Sequence, residues 1–520
     1  MVASGWLFVY FDKLNNPNEM VRVYMARAML EHGTYAIGER VAATGLPPRD
    51  LGPVYLEWGY VNDKALVCAD PRRSPPGCSG KLYAAKAPGP SFLAVPVLAV
   101  MRQLGAPLAL KWLDVLLLRW VMCILPTAIF WVVMRRFLLA AEATAPVALG
   151  VAIAGGLGSL SFTYGQMFAG HQLAALCLGS AYLAAFWPGP ERRAAAPLLG
   201  FFSGLAVCCE YPSLPAAAII GAGWLLSCRA TPRGVAIAAL CALPPVAALA
   251  HFHWIAFGAP WSTPYSHLEN ASFVRDIAPG ILGISLPTWE RIWGSLFAPF
   301  LGLFFWAPWT AVAVGVGPLL WRRGEARERV AILVVAYYLV FQITHALWRS
   351  GWTVGPRYIT AIVPFAALCV GLGLARTRSA FGLGVLGGTG AASIAATGLA
   401  SLVCQGFPLE VYNPLVEVVA PLLAHGYVPR NLLQMAGVPG AWSALPAFAA
   451  LAIGIAQLLI LPLRTPTRSA RGFALACGLA AALVAVQWTA TSGDSPAHAG
   501  AVRFLASIWE PDPPPGSQPF

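Results

Sequence analysis

The sequence predicts an all-α, polytopic membrane protein, and three observations lead to this fold class. Of the 520 residues, 58% are hydrophobic and 11% are charged, whereas soluble domains carry about 25% charged residues. The mean hydropathy of +0.66 excludes a disordered chain, because disordered chains are polar. The apolar runs are as long as membrane helices and do not alternate with polar residues, which excludes a transmembrane β-barrel.

Basic residues outnumber acidic ones and give a formal net charge of +12. Most of those between apolar runs form short clusters, which is typical of cytoplasmic loops under the positive-inside rule. The clusters are Arg135-Arg136, Arg192-Arg193, Arg229 with Arg233, Arg322-Arg323, Arg376 with Arg378, and Arg464 with Arg468 and Arg471. No basic stretch is interleaved with aromatic residues for base stacking. The charge therefore indicates membrane topology, and we expect no nucleic-acid partner.

The apolar runs predict about thirteen membrane helices. The first covers only residues 1–11, which is too short for a hydrocarbon core about 30 Å thick, so either this helix is partial or its start lies upstream. The piece Phe92–Met101 is also short and contains Pro96, which predicts a membrane-surface or re-entrant helix. The remaining predicted spans are 113–134, 145–164, 172–187, 197–209, 213–227, 235–257, 299–321, 330–348, 358–375, 381–403, 441–463 and 472–489.

With the basic clusters assigned to the cytoplasm, every long polar segment lies on the opposite face. These segments are 12–112, 258–298, 404–440 and 490–520. The asymmetry predicts an enzyme or receptor surface outside the cytoplasm. The two halves of the chain do not repeat each other, which weakens the interpretation as an inverted-repeat transporter.

Cys68 and Cys78 lie in the polar segment near the N-terminus, whereas most other cysteines lie in apolar runs. If that segment faces an oxidising compartment, a disulfide can close the short loop between them. Otherwise both remain thiols. The cysteines in apolar runs are expected to be small core residues.

Glu19 is the first candidate functional residue. It precedes a helical pattern whose apolar side is formed by Val23, Ala26, Met29 and Leu30. A carboxylate at this point could act on a substrate at the membrane interface. Alternatively, Glu19 and Asn18 only cap the helix, because acidic groups favour helix N-termini.

Two basic residues outside the cytoplasmic clusters could bind a phosphate. Lys86 precedes a Pro-Gly turn and could meet a lipid phosphate as a point charge, or it could reach past apolar surface toward the headgroups. Arg357 could bind a phosphate with two hydrogen bonds. Its neighbours Trp352 and Tyr358 could stack on a sugar or lie in the interfacial aromatic belt.

His171 and Glu210 lie at the outside ends of predicted helices. Ionisable groups there are costly unless they are paired or face a wet cavity, so both are functional candidates. Together with Glu19 they could hold a divalent metal ion, although nothing in their spacing requires one. The common phosphate-loop, dinucleotide, zinc-protease and serine-hydrolase motifs do not occur in the sequence.

Three short motifs resemble those of bacterial GT-C membrane glycosyltransferases, the relatives of protein O-mannosyltransferases and of lipid A aminoarabinose transferase. Pro17-Asn18-Glu19, followed by Tyr24 and Ala26-Arg27-Ala28-Met29, resembles the start of their first extracytoplasmic loop. Lys86-Ala87-Pro88 is similar to the Lys-Pro-Pro element that closes this loop. Arg357-Tyr358, followed by Pro364, is similar to the family's Arg-Tyr-Leu-x-Pro element.

The resemblance implies a GT-C-like bundle in a bacterial inner (plasma) membrane, with the active site on the extracytoplasmic side. Residues 1–380 would form the catalytic module, including the large first loop 12–112 with its surface helices. Residues 381–520 would add membrane helices, the outside loop 404–440 and an outside tail. The expected activity is transfer of a hexosyl or pentosyl group from a polyprenyl-phosphate donor to a glycan, lipid or protein acceptor.

The resemblance also implies roles for individual residues. In this family a pair of acidic residues opens the first extracytoplasmic loop and supplies the catalytic carboxylate. The corresponding residues here are Asn18 and Glu19, so the first acid is missing. Glu19 would therefore be the general base, with Asp63 or Asp12 as substitutes. Direct displacement with one base would invert the anomeric centre. The donor phosphate would be bound by Lys86, Arg357 and Tyr358. The substrate pocket would be lined by Tyr24, His171, Glu210 and Trp352.

Two other functions remain as alternatives. A secondary transporter or flippase would carry ionisable residues in the middle of the membrane, yet most predicted spans carry none, and Asp114 and Arg119 lie near one end of theirs. A polysaccharide polymerase would place its arginines in a large late outside loop. The loop 404–440 holds only Arg430, which makes this function the least favoured.

Overall fold

The computed structural model describes residues 16–42, 49–75, 77–107, 110–189, 195–227, 230–277, 283–424, 426, 428–429, 431–466 and 468–490. The predicted first helix, Asp12 and nearly all of the predicted outside tail lie outside the described residues. The described chain is mostly helical and has two parts. A layer built from residues 16–103, which we call the outer layer, covers one end of a bundle of apolar helices.

The outer layer contains three helices and a small sheet. In chain order its elements are α1 (Pro17–His32), β1 (Gly38–Val41), β2 (Arg49–Leu51), α2 (Pro53–Trp58), β3 (Lys64–Cys68), β4 (Gly80–Ala84) and α3 (Gly89–Gln103). The sheet is antiparallel, with strand order β2-β1-β4-β3. This sheet corrects the all-helical prediction for the first loop. Its strands are three to five residues long, too short to show a clear alternation in the sequence.

The helix α1 also differs from its prediction as a surface helix with one apolar side. Every residue from Asn18 to Ala28 is buried. The helix lies between the sheet, α3 and the bundle, so its polar residues meet protein on all sides. The Asn16 side chain caps its first turn, and Gly33 ends it with a φ of 62°, a conformation that glycine adopts without steric cost.

A disulfide and a buried ion cluster hold the outer layer together. Cys68 and Cys78 are bonded, which closes the loop between β3 and β4. Arg40 contacts both Asp50, at 2.6 Å, and Glu269, at 2.7 Å. Lys64 lies 3.0 Å from Asp50. Because Glu269 belongs to the segment 258–298, which follows α10, these ion pairs fasten that segment to the sheet.

The bundle follows α3 and contains helices of very different length. They are α4 (Lys111–Ala140), α5 (Ala145–Leu157), α6 (Leu160–Tyr164), α7 (Gly170–Phe186), α8 (Ala195–Cys209), α9 (Ser213–Ser227), α10 (Pro232–Phe257), α11 (Ala271–Ile277), α12 (Trp289–Leu296), α13 (Leu303–Trp306), α14 (Trp309–Arg323), α15 (Ala326–Thr344), α16 (Ile362–Thr377), α17 (Ala380–Val403), α18 (Leu415–Ala424), α19 (Leu432–Met435), α20 (Gly440–Leu459) and α21 (Ala470–Thr489).

Five helices of the described chain, namely α4, α10, α17, α20 and α21, are long and apolar enough to cross a membrane. The structure does not confirm the predicted count of about thirteen, because several predicted spans form shorter apolar helices. The predicted span 145–164 is interrupted between α5 and α6, where Ser159 caps a new helix. The span 299–321 is interrupted between α13 and α14, where Pro308 cannot donate a backbone hydrogen bond.

The segment 404–440 is more than the outside loop that the sequence predicts. It contains α18, and the side chains of Leu415, Val418, Val419 and Leu422 on this helix are buried. They form a separate apolar cluster with Ala396, Ala400 and Val403 of α17 and with residues before and after that helix. Burial of this apolar face stabilises the end of the bundle on which the outer layer lies.

Candidate active site

Asp63 and Lys86 meet because two strands of the outer sheet pair. Asp63 directly precedes β3, and Lys86 follows β4 by two residues. The register opposes Lys64 to Ala84, and the Ala85 amide donates to the Asp63 carbonyl at 3.0 Å. The Lys86 ammonium therefore lies 3.2 Å from the Asp63 carboxylate, beyond the end of this strand pair.

A second ion pair joins α1 to the bundle. Arg22 donates from Nη2 to Glu210 Oε1 at 2.9 Å, and its other terminal nitrogen contacts the side chain and carbonyl oxygen of Asn18. Glu210 follows the last residue of α8. Gly170 makes room for the pair, since a Cβ atom at this position would collide with Glu210 and lie 2.9 Å from the Arg22 guanidinium.

His171 lies beside Glu210 at the start of α7. Its Nδ1 is 3.4 Å from Glu210 Oε1, and its ring contacts the rings of Tyr164 and Tyr358 edge-on, with centroids 5.9 and 5.8 Å away. The Nε2 atom is buried and has no hydrogen-bond partner among the described residues. His171, Glu210 and Tyr358 line a cavity of about 20 Å³, which has room for roughly one water molecule.

Arg357 lies on the connector between α15 and α16. It donates from Nη1 to the Trp352 carbonyl at 3.3 Å, and its guanidinium lies 5.7 Å from the ring of Tyr358. Its Nε is buried without a partner in the described chain, where Arg357 also forms no ion pair. Tyr164 holds the connector in place by hydrogen bonds to Thr353 and to the Val354 carbonyl.

The charged groups at this end of the bundle act on one another. Burial raises the pKa of the Glu210 carboxyl, with Asp63 adding to the rise, while Arg22, Lys86 and Arg357 oppose it. Burial alone would lower the pKa of Arg357, but Tyr358, Tyr164 and Asp63 hold it above the usual value. The guanidinium therefore stays charged. We call Arg22, Asp63, Lys86, Glu210 and Arg357 the outer charge cluster.

Glu19 does not face this cluster directly. Its two carboxylate oxygens each accept from Arg119 at 2.6 Å, and the Phe168 amide donates to the same carboxylate at 2.6 Å. Arg119 lies on α4. Glu19 is 1% exposed and fastens the start of α1 to α4, one helical turn before Arg22.

Tyr24 and Trp352 are the two remaining residues that were predicted to line the substrate pocket. The Tyr24 hydroxyl donates to the Gly59 carbonyl at 2.7 Å, and its ring packs against Tyr55 and Trp58 in the interior of the outer layer. Trp352 meets the cluster through its backbone carbonyl, which accepts from Arg357. Asp12 lies outside the described residues.

Arg22 is the cluster residue that the sequence analysis did not select. It follows Glu19 by three residues on α1, so the sequence alone favours a local ion pair between them. The structure instead directs each side chain to a different helix. One feature of the sequence could have indicated Arg22, namely its position among apolar residues. If such a helix is buried, its arginine needs an acidic partner from another part of the chain.

No group of three or more histidine, cysteine or acidic side chains in the described part of the chain could hold a metal ion. Glu19, His171 and Glu210 could have formed such a group according to the sequence. In the structure these three do not form such a group: the Glu19 carboxylate is bound to Arg119, and His171 lies beside Glu210.

No protein-family model matches this sequence, and no curated protein matches it. The chain is similar to two crystal structures of ArnT from Cupriavidus metallidurans. For the apo state, the TM-score is 0.43 and the identity 15%, over 94% of this chain and 75% of that one. For the form bound to undecaprenyl phosphate, the TM-score is 0.44 and the identity 17%, over 94% of this chain and 76% of that one.

Proposed function

We propose that the chain is an integral-membrane glycosyltransferase that moves a sugar from a polyprenyl-phosphate donor to an acceptor at the extracytoplasmic face of a bacterial inner membrane. The observation that carries this proposal is Arg357, a charged guanidinium without an ion pair among the described residues, which feels the charge of Asp63 and so lies in the same part of the molecule as the Asp63–Lys86 pair. Every residue of the outer charge cluster lies within 1–380, which we assign as the catalytic module.

The charge of the cluster suits a lipid-linked donor. Three cations, Arg22, Lys86 and Arg357, face two carboxylates, so the sum is 3 − 2 = +1. A sugar joined to polyprenyl phosphate is a phosphodiester with one negative charge. The phosphate monoester that is released carries about 1.5 to 2 negative charges at pH 7. A cationic site that water scarcely reaches stabilises the charge that develops on the departing phosphate.

We assign the general base to Asp63. In the absence of donor its carboxylate is held by Lys86. When the donor phosphate arrives, Lys86 turns to the phosphate and leaves the Asp63 carboxylate free to accept a proton. Glu19 suits this role less well, because its oxygens already accept three hydrogen bonds from Arg119 and Phe168.

The transfer then proceeds in one displacement. The acceptor hydroxyl gives its proton to Asp63, and its oxygen forms the new bond to the anomeric carbon. The bond from that carbon to the phosphate oxygen breaks, and its electron pair stays on the phosphate near Lys86 and Arg357. Attack opposite the departing phosphate inverts the anomeric centre. His171, Glu210 and Tyr358 border the reacting groups.

The test compares two arginines of the same connector. Arg357→Gln should weaken binding of polyprenyl phosphate about 10- to 100-fold, because a hydrogen bond to a charged group contributes about 1.5–3 kcal/mol. Arg349→Gln is the control, since Arg349 is half-exposed and pairs with Glu290. Native mass spectrometry of the purified protein with polyprenyl phosphate measures both. Equal binding by the wild type and both variants would overturn the proposal.

Turnover tests the same site independently. Membranes that contain the wild-type chain should consume a radiolabelled polyprenyl-phosphate sugar, whereas membranes with Lys86→Ala should not. Membranes with Arg349→Gln should match the wild type. Normal consumption by membranes with Lys86→Ala would contradict the role of Lys86 in donor binding. It would also contradict the assignment of Asp63 as the base that Lys86 releases.

A further inference from the structure

A groove opens on the surface of the bundle between α14 and α15. Its volume is about 440 Å³, within the range of roughly 300–1,000 Å³ that small-molecule sites occupy. The buried residues Ala313 of α14 and Cys369 of α16 lie at its floor, Val314 lines it from α14, and Trp321 and Arg322 line its end near the C-terminus of α14. The groove is therefore apolar along its length and cationic at its mouth.

A glycine of α14 leaves this space open. Gly317 lines the groove, and a Cβ atom added there would meet no atom within 4 Å. Pro318 lies in the same helix and has no N–H to donate to the carbonyl one turn earlier. Val314 and Trp321 on either side are 48% and 47% exposed. In an apolar helical surface, this open space faces the membrane.

The mouth of the groove carries uncompensated positive charge. Arg322 and Arg323 are exposed and form no ion pair within the described ranges. The acidic residues that follow them in the chain pair with other arginines. Glu328 is buried and pairs with Arg376 at 2.9 Å, and Glu325 contacts Arg327. An anionic group at the mouth would therefore find two free guanidinium groups.

The mouth of the groove and the outer charge cluster lie at opposite ends of α15, which corresponds to opposite leaflets of a membrane. The connector that bears Arg357 follows the C-terminal end of α15, whereas Arg322 and Arg323 precede its N-terminal end. The helix has 19 residues, which at 1.5 Å per residue separates its ends by about 28 Å. This distance is close to the thickness of a hydrocarbon core, about 30 Å.

We infer that this groove is a binding site for an anionic phospholipid. One acyl chain lies between α14 and α15 against Gly317, and the headgroup phosphate accepts hydrogen bonds from Arg322 and Arg323. Trp321 stands at the level of the headgroups, where its ring and N–H are both favourably placed. The inference does not depend on the proposed transfer reaction, because it uses none of the same residues.

The test measures lipid binding to the full-length purified protein by native mass spectrometry with phosphatidylglycerol and with phosphatidylcholine. Phosphatidylglycerol should bind at least about tenfold more tightly, since each arginine near an anionic headgroup contributes about 1 kcal/mol. The Arg322→Gln/Arg323→Gln variant should lose this preference. The Arg322→Lys/Arg323→Lys variant should keep most of it.

Two further variants separate the groove from general surface charge. Gly317→Leu fills the groove, where no neighbour obstructs it, and should reduce phosphatidylglycerol binding while the protein folds normally. Arg468→Gln/Arg471→Gln removes another exposed arginine pair and should leave binding unchanged. Equal affinity for the two lipids, an unaffected Gly317→Leu variant, or equal losses in the two double glutamine variants would each overturn the inference.

Discussion

The Lys86 ammonium lies 3.2 Å from the Asp63 carboxylate, across the end of a strand pair in the outer layer. Each group neutralises the other while no substrate is present. Both side chains are mostly buried but keep some exposure, 15% for Lys86 and 12% for Asp63. A phosphate can therefore reach Lys86 and compete with Asp63 for it, which makes the pair suited to couple donor binding to the release of a base.

Asp63→Asn should lower kcat about 10²- to 10⁴-fold, because the variant keeps a hydrogen-bonding side chain but cannot accept the proton. The KM for the donor should change much less. Steady-state consumption of a polyprenyl-phosphate sugar measures both constants. Asp70→Asn, an exposed residue of the same loop, is the control and should behave as the wild type. A normal kcat for Asp63→Asn would contradict the role of the base.

Glu19→Gln should lower stability by about 3–5 kcal/mol, because it leaves the buried Arg119 guanidinium without its carboxylate. Thermal unfolding in detergent measures the loss. Replacing both residues, as Glu19→Leu/Arg119→Leu, should restore part of it, since apolar pairs can replace buried ion pairs. A Glu19→Gln variant of normal stability without turnover would instead make Glu19 the base.

Gly170→Ala should lower both stability and turnover, because its Cβ atom would displace the Arg22–Glu210 pair. Overpacking of this kind costs about 1–3 kcal/mol. Gly478→Ala is the control, since a Cβ atom there meets no neighbour and alanine favours the helix. Thermal unfolding and donor consumption should distinguish the two variants, and equal behaviour would contradict the close approach at Gly170.

The outer layer should lose stability in acid through Asp50. Burial acts to raise the pKa of this carboxyl, but hydrogen bonds and charges from Arg40 and Lys64 prevail and lower it. Its stabilising contribution is therefore complete above the unfolded pKa of about 3.9 and declines as the pH falls through the lower pKa of the folded state. Hydrogen exchange of β1 and β2 measures the change.

Asp50→Asn serves as the control for this pH dependence. The variant should have weaker protection of β1 and β2 at neutral pH and should respond less to acid, because it lacks the titrating group. Asp70→Asn should keep the wild-type profile. An Asp50→Asn profile as steep as that of the wild type would assign the acid sensitivity to other carboxyl groups.

Several cluster residues can be selected from the sequence because few charged residues lie outside the basic clusters. This reasoning selects Lys86, Glu210 and Arg357, the family resemblance adds Asp63 as a substitute base, and the structure brings the four together. The pairs that join distant parts of the chain cannot be selected by the same reasoning. Arg22 pairs with a residue 188 positions away, and such a contact depends on which helices become neighbours.

The small outer sheet shows the same limit at the level of secondary structure. Its strands have three to five residues, and proline and charged residues surround them in the sequence. Pairing and the Cys68–Cys78 bond stabilise these strands only after the loop has folded back on itself. The helical pattern of α1 was recognisable, but its burial on all sides depends on the sheet and the bundle.

The sequence by itself determined that the chain is a helical membrane protein and which few charged residues lie outside the basic clusters. Both properties depend on local composition, because a membrane span requires a long apolar run and tolerates few charges. The tertiary structure alone decided which charges pair. It directs Glu19 to Arg119, 100 positions away, and within the described residues it leaves Arg357 without a carboxylate partner, because ion pairs depend on distances of a few ångströms that only the packed helices set.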